Sequence, residues 1–148
     1  ANLDSAFHVA AVYGKRMAAQ GFGSFVFLSS SAGLRGEAGA SIYCASKFGL
    51  IGFVESFAAE MTPHNVRVNC ISPGNVDSPM LKDVANKIAA RTKTPPQTVL
   101  EEMAKSGSAQ RLVKPEEVAN LAVFLASDMA SGITGSNVRI DCGAWIDS

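Results

Sequence analysis

The chain has 148 residues, of which 47% are hydrophobic, so it is long enough to bury a core and short enough to form one domain. Lysine plus arginine and aspartate plus glutamate each total 13, a balance that argues against nucleic acid or an anionic membrane as a partner and favours a small ligand. No uninterrupted apolar run approaches the roughly 20 residues of a membrane span, and the amino terminus lacks a signal-peptide pattern.

Helices and strands are predicted to alternate along the chain. In chain order the pattern predicts a helix at 4–20, a strand at 24–28, a glycine-rich loop at 30–39, a helix at 42–61, a strand at 66–71, a polar helical stretch at 79–110, a helix at 115–126 and a strand at 137–140. Strands joined by crossover helices indicate an α/β protein with a parallel sheet, part of a doubly wound, Rossmann-like fold. We expect residues 1–148 to form a single domain in which 79–110, interrupted by Pro95-Pro96, is a mobile flap.

Small residues in the helix at 42–61 predict a close neighbour. Ala45, Gly49 and Gly52 leave room for another helix to approach.

Residues that could contact a ligand follow each predicted strand: Ser30 follows the first, Pro73-Gly74 the second and Asp141 the third. Because ligands of such sheets bind beyond the carboxyl ends of the strands, these residues are candidates for one site.

One helix face carries the clearest chemical signal. Tyr43 and Lys47 are four residues apart at the start of the predicted helix at 42–61, so they lie on the same surface. An ammonium beside a phenol favours the phenolate and lowers the pKa of tyrosine from about 10 towards the useful range of a general acid or base. Ser30 lies 13 positions upstream of Tyr43. Together these residues predict proton transfer to or from a substrate oxygen.

Each candidate also has an ordinary structural explanation. Tyr43 could be a buried tyrosine, Lys47 a surface cation, and Ser30 a strand-ending residue that is confused with Ser29 or Ser31. Asn2 could be a helix N-cap. The three cysteines are interpreted as reduced structural thiols of a cytoplasmic protein, and His8 and His64 lack partners at metal-ligand spacing, so no metal is expected.

The motifs taken together resemble the carboxyl-terminal portion of a short-chain dehydrogenase/reductase. The resemblance spans nearly the whole chain. It rests on Asn2-Leu3, Ser29-Ser30-Ser31-Ala32-Gly33, Tyr43-Cys44-Ala45-Ser46-Lys47, Asn69-Cys70-Ile71-Ser72-Pro73-Gly74, Thr134-Gly135 and Asp141-Cys142-Gly143. Tyr-x-x-x-Lys alone is a weak signal, but the serine at the family's spacing and the Asn 28 positions before it make the match specific.

The resemblance implies a catalytic tetrad. Tyr43 would exchange the proton with the substrate, and Ser30 would hold the carbonyl or alcohol oxygen. Lys47 would lower the pKa of Tyr43 and bind the hydroxyls of the nicotinamide ribose. Asn2 would hold a water that relays protons to Lys47.

The same resemblance implies a cofactor and a reaction. Pro73, Gly74 and Val76 would contact the nicotinamide carboxamide, and Ser78 stands where the family usually has a threonine near the pyrophosphate. Tyr43 and Lys47 also count as cofactor-binding residues. The implied activity is NAD(P)-dependent interconversion of a secondary alcohol and a ketone, with a homo-oligomer, dimer or tetramer, as the usual assembly. The stretch 79–110 would be the substrate lid.

One part of the family pattern does not occur in this sequence. The glycine-rich phosphate turn and the residue that selects NAD or NADP are absent, and the expected strands are the last three of the family's sheet. We therefore expect the chain alone to bind dinucleotide poorly and to leave a strand edge unpaired. The alternative hypothesis is a noncatalytic fragment that acts only as an oligomerising or complementing module. Cys142, where Asp-Gly-Gly is common, is a further departure.

Overall fold

The computed structural model describes residues 2–144 and confirms the predicted alternation of helices and strands. The main elements are α1 (Asn2–Gln20), β1 (Gly23–Leu28), α2 (Ser41–Met61), β2 (Val66–Pro73), α3 (Pro79–Thr92), α4 (Pro96–Lys105), α5 (Pro115–Ala126) and β3 (Asn137–Ile140). Short 3-10 turns cover Ser31–Gly33, Thr62–His64 and Asp128–Ala130. β2 runs two residues further than predicted, and the Gly74 amide after it still donates to the Ile140 carbonyl at 3.0 Å.

The three strands form one sheet in the order β1-β2-β3. β1 and β2 are parallel, with a register that runs from Gly23 opposite Val66 to Leu28 opposite Ile71. β2 is central, and its Val68, Cys70 and Ile71 are fully buried. Within residues 2–144, β1 forms one edge of the sheet. The predicted parallel α/β architecture and the unpaired edge are therefore confirmed for the described part of the chain.

The chain divides into two compact units. The first extends to Ser72 and includes Asn120–Arg139, and the second consists of Pro73–Ala119 with the segment that begins at Ile140. The expectation of a single domain over 1–148 stays a prediction.

Aromatic and aliphatic side chains from α1, α2, β1 and β2 form the core of the first unit. Phe53 and Phe57 of α2 stack on each other with ring centroids 5.3 Å apart, and Phe57 meets Phe25 of β1 edge to face at 5.4 Å. α1 approaches α2 at Gly49, where an added Cβ would lie 3.1 Å from Leu3. The predicted close approach is thus confirmed at Gly49, whereas a Cβ added to Gly52 would have no atom within 4 Å.

Two polar side chains of β2 form hydrogen bonds with the end of α5 and with the segment that connects α5 to β3. Arg67 donates to the carbonyls of Leu125 at 2.7 Å and Ser127 at 3.0 Å, so its guanidinium caps the carboxyl end of α5. Asn69 is fully buried, donates to the Ile133 carbonyl at 2.7 Å and accepts from the Ser136 amide at 3.1 Å. These bonds satisfy buried polar groups that an apolar side chain would leave unpaired.

The second unit contains a helical hairpin in the stretch 79–110, where the sequence predicts polar helices. α3 and α4 pack on each other around Ala85, Ala89 and Val99, which form a small separate core. Ser78 begins this hairpin as N-cap of α3 and accepts from the Leu81 amide at 3.2 Å. The helical character and the break at Pro95-Pro96 are confirmed. The mobility of 79–110 stays a prediction.

One helix meets the length and composition of a membrane span, although the sequence has no long uninterrupted apolar run. The stretch Ser41–His64, α2 with the turn that follows, has a mean hydropathy of 1.2. A single helix of this kind is weak evidence for insertion, because apolar core helices share both properties. Buried residues of α2, among them Leu50, Val54 and Phe57, belong to the core of the first unit.

Candidate active site

Ser30 follows β1 closely and begins the 3-10 turn Ser31–Gly33. Its backbone is extended, and its hydroxyl oxygen accepts a hydrogen bond from the Ala32 amide at 3.2 Å. That bond uses a lone pair of the oxygen and leaves the hydroxyl proton for donation. Ser30 can therefore donate to an oxygen of a ligand while its own position is fixed by the turn.

Tyr43 and Lys47 share one face at the beginning of α2, as their spacing predicts. The Lys47 ammonium lies 5.7 Å from the centroid of the Tyr43 ring, and Tyr43 is 39% exposed. An exposed phenol can meet a ligand, so the alternative of a buried structural tyrosine is wrong. The cation and the ring attract each other at this distance, which fixes the two side chains relative to one another.

The Lys47 ammonium also contacts the end of β1. It donates to the Leu28 carbonyl at 2.8 Å and thereby links α2 to the strand that leads into Ser30. Partial burial lowers the pKa of Lys47, because removal from water disfavours the charged form, and nearby Cys70 partly opposes this effect. Lys47 is thus more than an ordinary surface cation.

The nearby thiol is structural. Burial raises the pKa of Cys70 to about 11, so the group stays protonated and unreactive near neutral pH. Cys44, Cys70 and Cys142 are all free thiols, in agreement with their interpretation as reduced cysteines.

Two small residues to which the sequence assigned no role hold β1 and α2 together. Ser29 is 6% exposed and donates its hydroxyl to the Lys47 carbonyl at 3.0 Å. A Cβ on Gly33 would lie 2.6 Å from the Ser29 hydroxyl and 2.9 Å from the Lys47 carbonyl, which is too close for a side chain. We call Ser29, Gly33 and the Lys47 backbone the strand–helix junction. The run of small residues from Ser29 to Gly33 was the available sequence signal.

Asn2, the remaining member of the predicted tetrad, lies at the start of α1. It is exposed, and its carbonyl accepts from the Ser5 hydroxyl at 3.2 Å. Neither the water relay nor the N-cap alternative is tested by this contact, and both stay predictions.

Four of the predicted cofactor-binding residues lie between the end of β2 and the start of α3, within the second unit: Pro73, Gly74, Val76 and Ser78. A Cβ on Gly74 would be 2.9 Å from Asp141, so the backbone passes close to the turn after β3. Val76 pairs with Val113 as a short parallel bridge. The Ser78 hydroxyl oxygen caps α3, a bond that uses one lone pair and leaves the hydroxyl proton for donation. Contacts of these residues with a cofactor stay predictions.

The turn after β3 contains backbone strain at Cys142. Its φ angle is 56°, in the left-handed region, and the Gly143 amide that follows donates to Asp141 at 3.1 Å. The other carboxylate oxygen of Asp141 is buried without a hydrogen-bond partner among the described residues. The departure from Asp-Gly-Gly therefore places a side chain where glycine is favoured.

Replacement of Cys142 by glycine is expected to stabilise the protein by about 0.5–1 kcal/mol, because glycine adopts a positive φ without steric cost. Chemical denaturation with an unchanged m-value measures this effect. Ser131→Gly is the control, since the φ angle of Ser131 is −57° and glycine there should be destabilising. Equal destabilisation by both substitutions would contradict strain at Cys142.

Comparison with known proteins identifies the family. The sequence profile described as enoyl-(acyl carrier protein) reductase matches residues 1–144. The 3-oxoacyl-[acyl-carrier-protein] reductase FabG of Thermotoga maritima is 38% identical over 145 residues, which are 98% of this chain and 54% of that protein. The chain belongs to the short-chain dehydrogenase/reductase family.

Solved structures of short-chain dehydrogenases/reductases share the fold. Levodione reductase matches with a TM-score of 0.93 and 30% identity over 99% of this chain and 56% of its own. The L-sorbose reductase of Gluconobacter frateurii, solved with NADPH and L-sorbose, matches with a TM-score of 0.88 and 28% identity over 97% and 55%. An NAD+-bound xylitol dehydrogenase matches with a TM-score of 0.87 and 30% identity over 94% and 55%. These similarities confirm the Rossmann-like fold.

The chain spans about half the length of the curated relatives it matches. Relatives in this family are oxidoreductases, and the matches with bound NADPH or NAD+ support a nicotinamide dinucleotide as the cofactor of the family.

Proposed function

We propose that this chain supplies the proton-transfer residues of an NAD(P)-dependent oxidoreductase that interconverts a secondary alcohol and a ketone. The single observation that carries the proposal is the arrangement on α2, where the exposed Tyr43 ring lies 5.7 Å from the Lys47 ammonium. Ser30, with its hydroxyl proton free to donate, follows the strand to which Lys47 is bonded. A phenol, an ammonium and a hydroxyl are the groups that moving a proton at an alcohol oxygen requires.

Each residue has a distinct role in this proposal. In the direction of reduction, Ser30 donates a hydrogen bond to the ketone oxygen and stabilises the negative charge that develops there. Tyr43 then gives its proton to that oxygen, and Lys47 stabilises the resulting phenolate. Asn2 completes the proposed tetrad through a water that returns a proton from solvent.

The residues present suit the nicotinamide end of a dinucleotide. The Lys47 ammonium and the Tyr43 hydroxyl are donors for ribose hydroxyls, and the loop with Pro73, Gly74 and Val76 offers backbone groups to a carboxamide. Ser78 keeps a hydroxyl proton for the pyrophosphate. When bound, the nicotinamide supplies or accepts the hydride, which no side chain can do. Either NAD or NADP is compatible with these residues.

Dinucleotide titration tests the proposal. The chain is produced alone and also joined to the amino-terminal half of the Thermotoga maritima relative, which restores the length that the relatives have. Binding of NADH and NADPH is followed by fluorescence, and oxidation of the bound form is measured with ketones of several classes, including a 3-oxoacyl thioester. We expect weak binding by the chain alone and turnover by the joined protein. Binding without turnover of any ketone, in a protein shown to be folded, would contradict the proposal.

An assembly role is the second candidate, favoured by two exposed surfaces. Leu28 on the edge strand β1 is 52% exposed, and Val12 and Tyr13 of α1 are 55% and 48% exposed. An open strand edge and apolar helix residues are typical of surfaces that another chain covers. On this view the chain acts in a cytoplasmic homo-oligomer or complements another half without catalysis. Tight nicotinamide binding by the chain alone would contradict it, and light scattering would reveal the assembly.

A further inference from the structure

Asn75 lies in the loop between β2 and α3, residues 74–78, which is predicted to contact the nicotinamide and is called the nicotinamide loop below. Its backbone and its side chain bond to two different parts of the second unit. Its backbone carbonyl accepts from the Val113 amide at 2.8 Å. Its side-chain amide donates to the Met103 carbonyl at 3.1 Å and to the Ser106 hydroxyl at 3.3 Å. One residue thus joins the loop after β2 both to the segment before α5 and to the carboxyl end of the lid helix α4.

The contact with α4 has a clear physical basis. The last carbonyls of a helix lack partners within the helix and carry the negative end of its dipole. α4 ends at Lys105, and Ser106 is its C-cap residue. The Met103 carbonyl accepts from the Ser106 hydroxyl at 2.7 Å and also from Asn75, so Asn75 is a tertiary cap of this helix end.

The lid is also linked to the loop through α3, which follows the loop directly and whose Lys82 pairs with Asp77 at 3.3 Å. α3 and α4 pack around their own small core, so the hairpin can respond as one body. Ser78 caps the beginning of α3, and Gly107 after α4 lies under the Cys142 carbonyl, where a Cβ would be 2.7 Å away. The loop itself is held against Asp141 at Gly74 and against Val113 at Val76. At α4 itself, a displacement of the loop is transmitted by the side chain of Asn75, because its amide bonds the helix end directly.

We propose that Asn75 is a positioning residue that couples the nicotinamide loop to the carboxyl end of α4, so that cofactor binding orders the substrate lid. The proposal rests on the proposed function. Asparagine suits this role because its short side chain ends in an amide that donates to two acceptors, which neither a carboxylate nor an apolar group can do.

Asn75→Asp removes both donors at constant size and places a negative charge beside the Met103 carbonyl. Hydrogen exchange of residues 100–110 in the chain without cofactor is expected to accelerate by about three- to tenfold, in line with the loss of a helix-end hydrogen bond. Asn75→Ala should act in the same direction. Asn120→Asp, an identical change at an exposed position of α5, should leave exchange in 100–110 unchanged.

Cofactor and substrate measurements on the joined protein test the coupling. In the wild type, NADPH or NADH should slow exchange in residues 100–110, and in Asn75→Asp this response should be lost. The KM for the ketone should rise by about threefold or more while the cofactor Kd and the pH profile change little, because the proton-transfer residues are unaltered. A purely structural role would weaken both ligands together and lower the melting temperature without an effect confined to the lid.

The outcomes separate this proposal from the proposed function. Unchanged exchange in Asn75→Asp, or a cofactor response equal to that of the wild type, would overturn the role of Asn75 even if the enzyme turns over normally. A wild-type protein that is folded but binds no dinucleotide would overturn the proposed function, and the cofactor part of this proposal with it. The exchange comparison without cofactor then still decides whether Asn75 holds α4.

Discussion

Turnover by the joined protein is expected to fall by about 10²–10⁴-fold when Tyr43 is replaced by phenylalanine, the range associated with loss of a general acid or base. The substitution removes the hydroxyl and retains the ring over which the Lys47 ammonium lies. The midpoint of thermal unfolding should therefore stay close to wild type. The Kd of the cofactor should rise only a few-fold, because one of the two proposed donors to the ribose is lost while Lys47 remains. The measurement is the steady-state rate of ketone reduction, with unfolding followed by circular dichroism.

Tyr13→Phe is the matched control for this prediction. Tyr13 is exposed on α1, and the Arg16 guanidinium lies 6.0 Å from the centroid of its ring, an arrangement similar to that of Tyr43 and Lys47. Loss of this hydroxyl should leave turnover unchanged. If Tyr43→Phe retained a rate near that of the wild type, the assignment of Tyr43 as the proton donor would be wrong.

Replacement of Gly33 by alanine is expected to destabilise the protein by about 1–3 kcal/mol and to reduce turnover as well. The new Cβ would lie 2.9 Å from the Lys47 carbonyl, a backbone atom, so the strand–helix junction must open. Because Ser30 and Lys47 flank this junction, their spacing changes with it. A displacement of about 1 Å at catalytic groups can cost about 10²-fold in rate. Urea denaturation and kcat together measure both effects.

Gly36→Ala is the control that distinguishes crowding at the strand–helix junction from a general effect of alanine in the same glycine-rich loop. Gly36 lies three positions further along, and a Cβ there would have no atom within 4 Å. Its φ angle is outside the positive region, so alanine should be neutral or stabilising by a few tenths of a kcal/mol. If Gly33→Ala and Gly36→Ala had the same effect on stability, crowding at the junction could not be the cause.

The pattern of apolar residues was sufficient to predict the order and the approximate bounds of the helices and strands. α5 and β3 begin and end where the sequence predicts. Pro115 and the two acidic residues after it mark the helix start, and in β3 the apolar Val138 and Ile140 alternate with the polar Asn137 and Arg139. β2 was predicted two residues too short. Its end depends on hydrogen bonds with a strand about 65 residues later, which no local pattern contains.

For the candidate site too, the sequence was sufficient to predict some features, whereas others required the structure. Spacing on a helix fixes which side chains share a face, so Tyr43 and Lys47 could be paired from the sequence. Spacing does not say what the Lys47 ammonium bonds to, or that Ser29 bonds to the Lys47 carbonyl. Those contacts join residues 18 and 19 positions apart. From the sequence alone, Ser29 was only a competitor of Ser30.

The amino-acid sequence by itself determined the order of helices and strands, the candidate residues for proton transfer and the resemblance to the family, since these follow from local periodicity and fixed spacing. Only the tertiary structure decided that 79–105 is a helical hairpin with its own core, that Gly33 closes the strand–helix junction, and that Asn75 caps α4. The physical reason is that packing and capping depend on distances between segments remote in the chain. Such distances are set when the whole unit folds.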